Sequence, residues 1–179
     1  MPVTGPGDGR LADGSGPARP EDLFRLLAKL GIESSTTEHA PVFTVEEAKA
    51  LRGELSGCHT KNLFLRNKKG SMWLVVCPED RAVDLKDLAD RLSAGRLSFG
   101  SADRLMKYLG VIPGAVTPFA VINDKGGHVT VALDEKLRAA ETMNFHPLDN
   151  AMTTNISTDD FVRFLEAENH APSFIELGE

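Results

Sequence analysis

The sequence predicts an α/β mixed (α+β) single domain, a mixed sheet flanked by helices. Three observations predict it. Segments with helical spacing and short apolar strand-like runs interleave without the strict strand–helix alternation of a doubly wound fold. Two of the junctions carry turn chemistry suited to hairpins, Asn67-Lys68-Lys69-Gly70 and Asn123-Asp124-Lys125-Gly126-Gly127. The chain has 179 residues, 41% of them hydrophobic, enough to bury one core without disulfide or metal staples. Most strands read as buried or one-sided, which leaves one sheet face for a ligand.

Residues 1–19 are rich in Gly, Pro, Ser and Asp. They hold too little apolar surface to offset the entropy of ordering and read as a flexible tail. The domain is expected over residues 20–175. Leu23, Leu26, Leu27 and Leu30 recur at helical spacing behind Pro20, Glu21 and Asp22, with Gly31 as the stop. A short strand is expected at 35–38. Thr44-Val45-Glu46-Glu47 has capping-box form and predicts a helix to about Arg52. Residues 61–66 and 72–77 read as strands of a hairpin. A helix is expected over 85–92, where Leu85, Leu88, Ala89 and Leu92 share a face. Ser101 caps another that runs to Leu109 and stops at Gly110. Strands are expected at 119–122, 129–133 and 151–156. A last helix follows Thr158-Asp159-Asp160 and covers 161–168.

Composition excludes several classes. No apolar run approaches the ~20 residues of a membrane helix, and the N-terminus has no apolar signal core. The expected location is cytoplasmic. Cys58 and Cys77 form no CxxC pair, and the five histidines have no metal-ligand spacing, so no metal is expected. Cys58 beside His59 suggests a nucleophile–base pair, but neighbours on a strand point to opposite faces. Net charge is −6, yet residues 49–107 hold 12 Lys and Arg against 7 Asp and Glu. That local excess can steer a polyanion; it is also compatible with an ordinary solvated surface.

Three features can carry chemistry, each with a plainer alternative. Lys61 opens the apolar strand Lys61-Asn62-Leu63-Phe64-Leu65 and could aim an ammonium at a phosphate or carboxylate; it could equally be an edge lysine with its head in water. Gly110–Pro118, GVIPGAVTP, could bring main-chain N–H groups of Gly114 up to a developing oxyanion, or be a simple turn. His146, in Asn144-Phe145-His146-Pro147-Leu148-Asp149-Asn150, could present its imidazole to a pocket or be structural.

Taken together and in order, HAPVFTVEEAK (39–49), TKNLFLRNKKG (60–70), RLSFGSADRLMKYLGVIPGAVTPFAVIND (96–124) and NFHPLDNAMTTNIS (144–157) resemble the YbaK/ProX superfamily of aminoacyl-tRNA deacylases. These are free-standing relatives of the editing domain of bacterial prolyl-tRNA synthetases. The KNLFL and FHPLDN forms look most like the ProXp-ala (PrdX) branch. The resemblance implies a mixed, partly barrel-like sheet surrounded by helices, and hydrolysis of mischarged tRNA(Pro), alanyl-tRNA(Pro) in the first instance. Cysteinyl-tRNA(Pro) hydrolysis on the same fold, or RNA binding without catalysis, stay open. Carried over position by position, the family lysine is Lys61, its GxxxP loop is Gly114-Ala115-Val116-Thr117-Pro118, and its histidine is His146. Asn62, Phe43 and Asn150 are further pocket candidates. No cofactor is implied. The expected partners are the acceptor end of a mischarged tRNA and prolyl-tRNA synthetase, with neither membrane nor DNA. The double-sieve logic is physical: a proline pocket cannot strongly reject a smaller amino acid, because missing methylenes are worth only about 1–3 kcal/mol.

Overall fold

The computed structural model describes residues 9–41, 50 and 55–177. The helix expected over 44–52 lies outside them. Eight strands form one mixed sheet: β1 (Ser34–Glu38), β2 (Cys58–Asn67), β3 (Met72–Pro78), β4 (Leu97–Phe99), β5 (Val129–Asp134), β6 (Thr142–Phe145), β7 (Met152–Ser157) and β8 (Ser173–Ile175). Their order is β1-β7-β6-β2-β3-β5-β8, with β4 added beside β2. The pairs β2/β6, β3/β5 and β5/β8 are parallel; β1/β7, β6/β7, β2/β3 and β2/β4 are antiparallel. Helices α1 (Pro20–Lys29), α2 (Leu85–Leu92), α3 (Ala102–Leu109) and α4 (Thr158–Ala167) flank it. No helix among the described residues is long and apolar enough to cross a membrane.

Strand alternation divides the core between the two faces. Phe64, Leu74, Val76, Val129, Val131 and Leu133 pack on one face beneath α1, α3 and α4. Leu65, Val75, Cys77 and Ala132 point the other way and meet Leu88 and Ala89 of α2. Helix ends form where short polar side chains replace missing intrahelical partners. Asp84 accepts the Lys86 N–H, Ser101 the Arg104 N–H and Ser157 the Asp160 N–H. Gly110 closes α3 in the left-handed region at φ 66°, which only glycine adopts without a Cβ penalty. The last helix begins earlier than expected, because Ser157 and not a later residue supplies the cap.

One expected strand is wrong. Residues 119–122 lie within a 3₁₀ helix, Pro118–Asn123, all six residues buried. A short continuous apolar run has no periodicity that separates a strand from a buried helical turn. Pro118 decides the matter locally: its fixed φ starts the turn, and the Thr117 hydroxyl accepts the Phe119 N–H. The hairpin expected around 123–127 therefore does not exist, and β5 pairs in parallel with β3 instead. Three short strands, β4, β6 and β8, were not legible. Of the segment read as a tail, Ala12 N–H bonds to the Lys107 carbonyl and Ala18 N–H to Asn123 Oδ1.

A buried charge fixes the far end of the core. His170 donates from Nδ1 to the Glu168 carbonyl at 2.6 Å and from Nε2 to Asp124 Oδ2 at 2.9 Å. Two acceptors call for a doubly protonated ring. Burial opposes that charge, but the Asp124 bond, the Glu168 carbonyl and both carboxylates outweigh it and raise the His170 pKa. Burial likewise opposes ionisation of Asp124, and its bonds to His170, Val129 and His128 lower its pKa. The other ionisable side chains here are Lys125, 4.0 Å from Glu168, and His128, whose Nδ1 is 3.2 Å from the second Asp124 oxygen. A raised folded-state pKa gives stability that is complete below pH ~6.5 and lost as pH rises through the folded value. His170→Gln should therefore cost about 1.5–3 kcal/mol at pH 6 and clearly less at pH 9. Thermal melts of both proteins at the two pH values test this; an equal penalty would mean a neutral ring.

Candidate functional site

The site is built where β2 loses its neighbours. One edge of β2 pairs with β3 from Thr60 to Arg66. The other edge pairs with β6 only at Cys58 and His59, and with β4 only at Leu65 to Asn67. The two strands diverge, and Lys61, Asn62 and Leu63 lie in the split. Lys61 is half-buried and sits opposite Cys77 of β3. Burial pushes the Cys77 thiol up to about 11, and the Lys61 ammonium is near enough to pull it partly back.

The β2/β6 register, Cys58 with Met143 and His59 with Asn144, continued by alternation to one residue past the end of β6, assigns His146 to the same sheet face as Lys61. That face is polar over β6, β7 and β1. His146 Nδ1 donates to the Met152 carbonyl at 2.8 Å, which fixes the proton there and leaves Nε2 as an acceptor. Burial, with His39 nearby, lowers the His146 pKa against the opposing Met152 carbonyl and Asp149. His39 lies 6.3 Å away, ring centre to ring centre, and bonds to Thr153 Oγ1 and the Ala40 carbonyl. Asn155 bonds to Asn144 and Thr142, and both asparagine amides donate to the Ser56 carbonyl. Gly57 permits this close approach: a Cβ there would lie 2.5 Å from Asn155 Nδ2, at φ 98°. The polar cluster around His39 and Thr153 is missed by residue-level reading. His39 opens one of the four motif stretches, but only the β1/β7 pairing carries it to His146.

The remaining candidates stand on the reverse face or cross over to it. Asn62 shares its face with Phe64. Ala115 and Val116 pack into the Phe64 cluster, joined by Leu148, so the 146–150 loop straddles the split. Thr117 and Pro118 are buried and serve the 3₁₀ turn, whereas Gly114 is exposed. Whatever that loop offers a ligand comes through its backbone. Asn62 Oδ1 and Asn150 Nδ2 are buried without a hydrogen-bond partner among the described residues, an acceptor and a donor available to a bound group. Phe43 lies outside the described residues. Cys58 packs into the core while His59 bonds to the Leu55 carbonyl, so the two do not form a nucleophile pair.

A neutral His146 has a kinetic signature. A pKa below the usual ~6.5 keeps the ring uncharged through neutral pH. The acid limb of log(kcat/KM) should fall below pH 6.5. A limb centred above that value would show that the ring works protonated.

The mixed sheet is thus split along one edge of β2 at Lys61, with His146 one residue past the end of β6. The chain belongs to the aminoacyl-tRNA editing domain family, whose profile matches residues 39–164, and so stands among the aminoacyl-tRNA deacylases. It is 40% identical over 156 residues to the prolyl-tRNA editing protein ProX of Acetoanaerobium sticklandii, covering 87% of this chain and 95% of that one. It is also 40% identical over 159 residues to prolyl-tRNA synthetase associated domain-containing protein 1 of Danio rerio, covering 88% and 86%. A crystal structure described as a candidate trans-editing enzyme for prolyl-tRNA synthetase shares the fold, with TM-score 0.66, 18% identity, and coverage of 90% and 99%. The crystal structure of hypothetical protein APE2540 does likewise, with TM-score 0.68, 18% identity, and coverage of 88% and 99%.

Proposed function

We propose that this chain is a cytoplasmic editing hydrolase that deacylates mischarged tRNA(Pro), with alanyl-tRNA(Pro) as its preferred substrate. The observation that carries the proposal is the split along one edge of β2, where Lys61 lies between the β6 and β4 pairings, on the sheet face to which strand alternation assigns His146. The similarity to the ProX editing protein supports the tRNA(Pro) substrate.

The chemistry asks little of the protein beyond placement, since an aminoacyl ester is intrinsically labile. Lys61 anchors the terminal phosphate or ribose as a point charge. His146 Nε2, an acceptor, accepts a hydrogen bond from the substrate's ammonium and orients the amino acid. The Gly114 backbone supports the carbonyl oxygen as charge develops. Asn62 Oδ1 and Asn150 Nδ2 are suited to further polar contacts with the substrate. Water attacks the carbonyl carbon, the ribose oxygen leaves, and a substrate hydroxyl serves as the base. Prolyl-tRNA synthetase, which generates such errors, is the expected protein partner.

Purified protein is incubated with alanyl-tRNA(Pro), cysteinyl-tRNA(Pro) and prolyl-tRNA(Pro), and ester loss is followed. Rapid loss of alanine with prolyl-tRNA(Pro) spared is the expected result. Stable alanyl-tRNA(Pro) alongside cysteinyl-tRNA(Pro) cleavage would move the specificity to cysteine, and no cleavage of any of them would remove the enzymatic reading.

A further inference from the structure

Among the described residues, only two large apolar side chains stand well exposed, Phe99 at 61% and Ile112 at 43%. Phe99 ends β4, the edge strand that pairs with the C-terminal part of β2. Leu65 is its direct partner, so Phe99 points to the same face as Leu65, Leu63 and Lys61. The α2 helix covers Leu65 and Leu97 on that face but leaves Phe99 open. Lys61 stands four residues from Leu65 along β2, about 13 Å at the usual rise of ~3.3 Å per residue. Beyond the other end of β2 the hairpin exposes Lys68 and Lys69. The half-buried Lys61 of β2, the uncovered ring of Phe99 on the neighbouring β4 and the exposed Lys68 and Lys69 in the turn beyond β2 thus follow one another along the line of β2.

We propose that Phe99 is a stacking platform for an unpaired nucleobase at the single-stranded 3′ end of the RNA substrate. This rests on the deacylase reading and adds a positioning residue to it. A cationic track with an interposed aromatic ring is how proteins hold single strands: the charges follow the backbone, and the ring takes a base face irrespective of sequence. The surroundings favour a base over a protein partner. Ser98 and Ser101 nearby are exposed, and Leu63 and Trp73 on the same face are half-buried against the α2 cluster, so among the described residues Phe99 is the one well-exposed ring there, short of a protein-docking core. The local backbone also holds the ring in place. Gly100 lies against Phe64, where a Cβ would come within 2.4 Å of the ring, and its N–H bonds to the Phe64 carbonyl.

The test replaces Phe99 by Ala and by Trp and measures kcat and KM on mischarged tRNA. Losing one stacked base corresponds to about a 5- to 150-fold weaker interaction. Phe99→Ala is expected to raise KM about tenfold with kcat within about twofold of wild type, and Phe99→Trp to restore KM. An independent arm uses uncharged RNA. The wild type has one tryptophan, Trp73, so additional fluorescence in Phe99→Trp reports position 99. It should be quenched by a stem with an unpaired 3′ end and not by the blunt stem. An unchanged KM in Phe99→Ala, equal quenching by both RNAs, or a defect seen only when prolyl-tRNA synthetase is present would overturn the proposal. Should the wild type hydrolyse no mischarged RNA, the deacylase reading fails, while the fluorescence arm still decides the stacking.

Discussion

Lys61→Ala is expected to lower kcat/KM for mischarged tRNA by at least about 100-fold, the scale seen when one preorganised electrostatic group is removed from an active site. The loss should be catalytic and not structural. Lys61 is only half-buried, in the split between β6 and β4, and among the described residues it makes no ion pair that the fold depends on. Its stem lies beside the core that contains Cys77, so truncation removes some packing, but the register of β2 is held by seven pairings with β3. Circular dichroism and thermal melts of the variant should therefore stay close to wild type. Lys61→Arg keeps the charge but replaces a compact ammonium by a planar fork, and should recover only part of the rate. A Lys61→Ala protein that is folded and retains more than a tenth of the activity would remove the lysine from the centre of the site.

The second large effect concerns the fold. Phe119→Ala is expected to cost about 3–5 kcal/mol, the usual penalty for emptying a large buried site. Phe119 is fully buried and meets three other rings edge to face: Phe145 at 5.6 Å, Phe161 at 6.4 Å and Phe164 at 5.3 Å. Those rings belong to β6 and α4, so one side chain ties the 3₁₀ helix to the sheet and to the last helix. With total stabilities of about 5–15 kcal/mol, the loss is a large fraction of the whole. It should lower Tm by roughly 6–20 °C for a chain of this size. Activity should fall as well, because Phe119 directly follows the 114–118 loop and Phe145 precedes His146. A penalty below about 1 kcal/mol in denaturant titrations would contradict the four-ring cluster.

Much of the architecture could be read from local chemistry. The spacing of Leu23, Leu26, Leu27 and Leu30, the cap at Ser101 and the stop at Gly110 are local signals, and helices α1, α2 and α3 lie where those signals put them. The β2–β3 hairpin is equally local, its turn closed by Asn67, whose carbonyl accepts the Gly70 N–H. Residues 119–122 show the limit. Their run of apolar residues satisfies a strand and a buried helical turn alike, and the choice fell to Pro118 and to the space beneath α4. Strands β4, β6 and β8 are three or four residues long, too short for any alternation to register. They exist because longer neighbours offer them hydrogen-bonding edges.

By itself the sequence determined the class of domain, the identity of Lys61, Gly114 and His146 as the residues to follow, and the family motifs that bind them together. It did so because caps, turns and periodicity act over a few residues, and because motif order survives in one dimension. Tertiary structure alone decided that β6 and β4 part along one edge of β2. Strand register assigns Lys61 and His146 to one face and Asn62 to the face of the Phe64 cluster. It also brought His39 and Thr153 to the histidine and left Phe99 uncovered. These are pairings between strands tens of residues apart, fixed by shared burial and by hydrogen-bonded edges that no local pattern encodes.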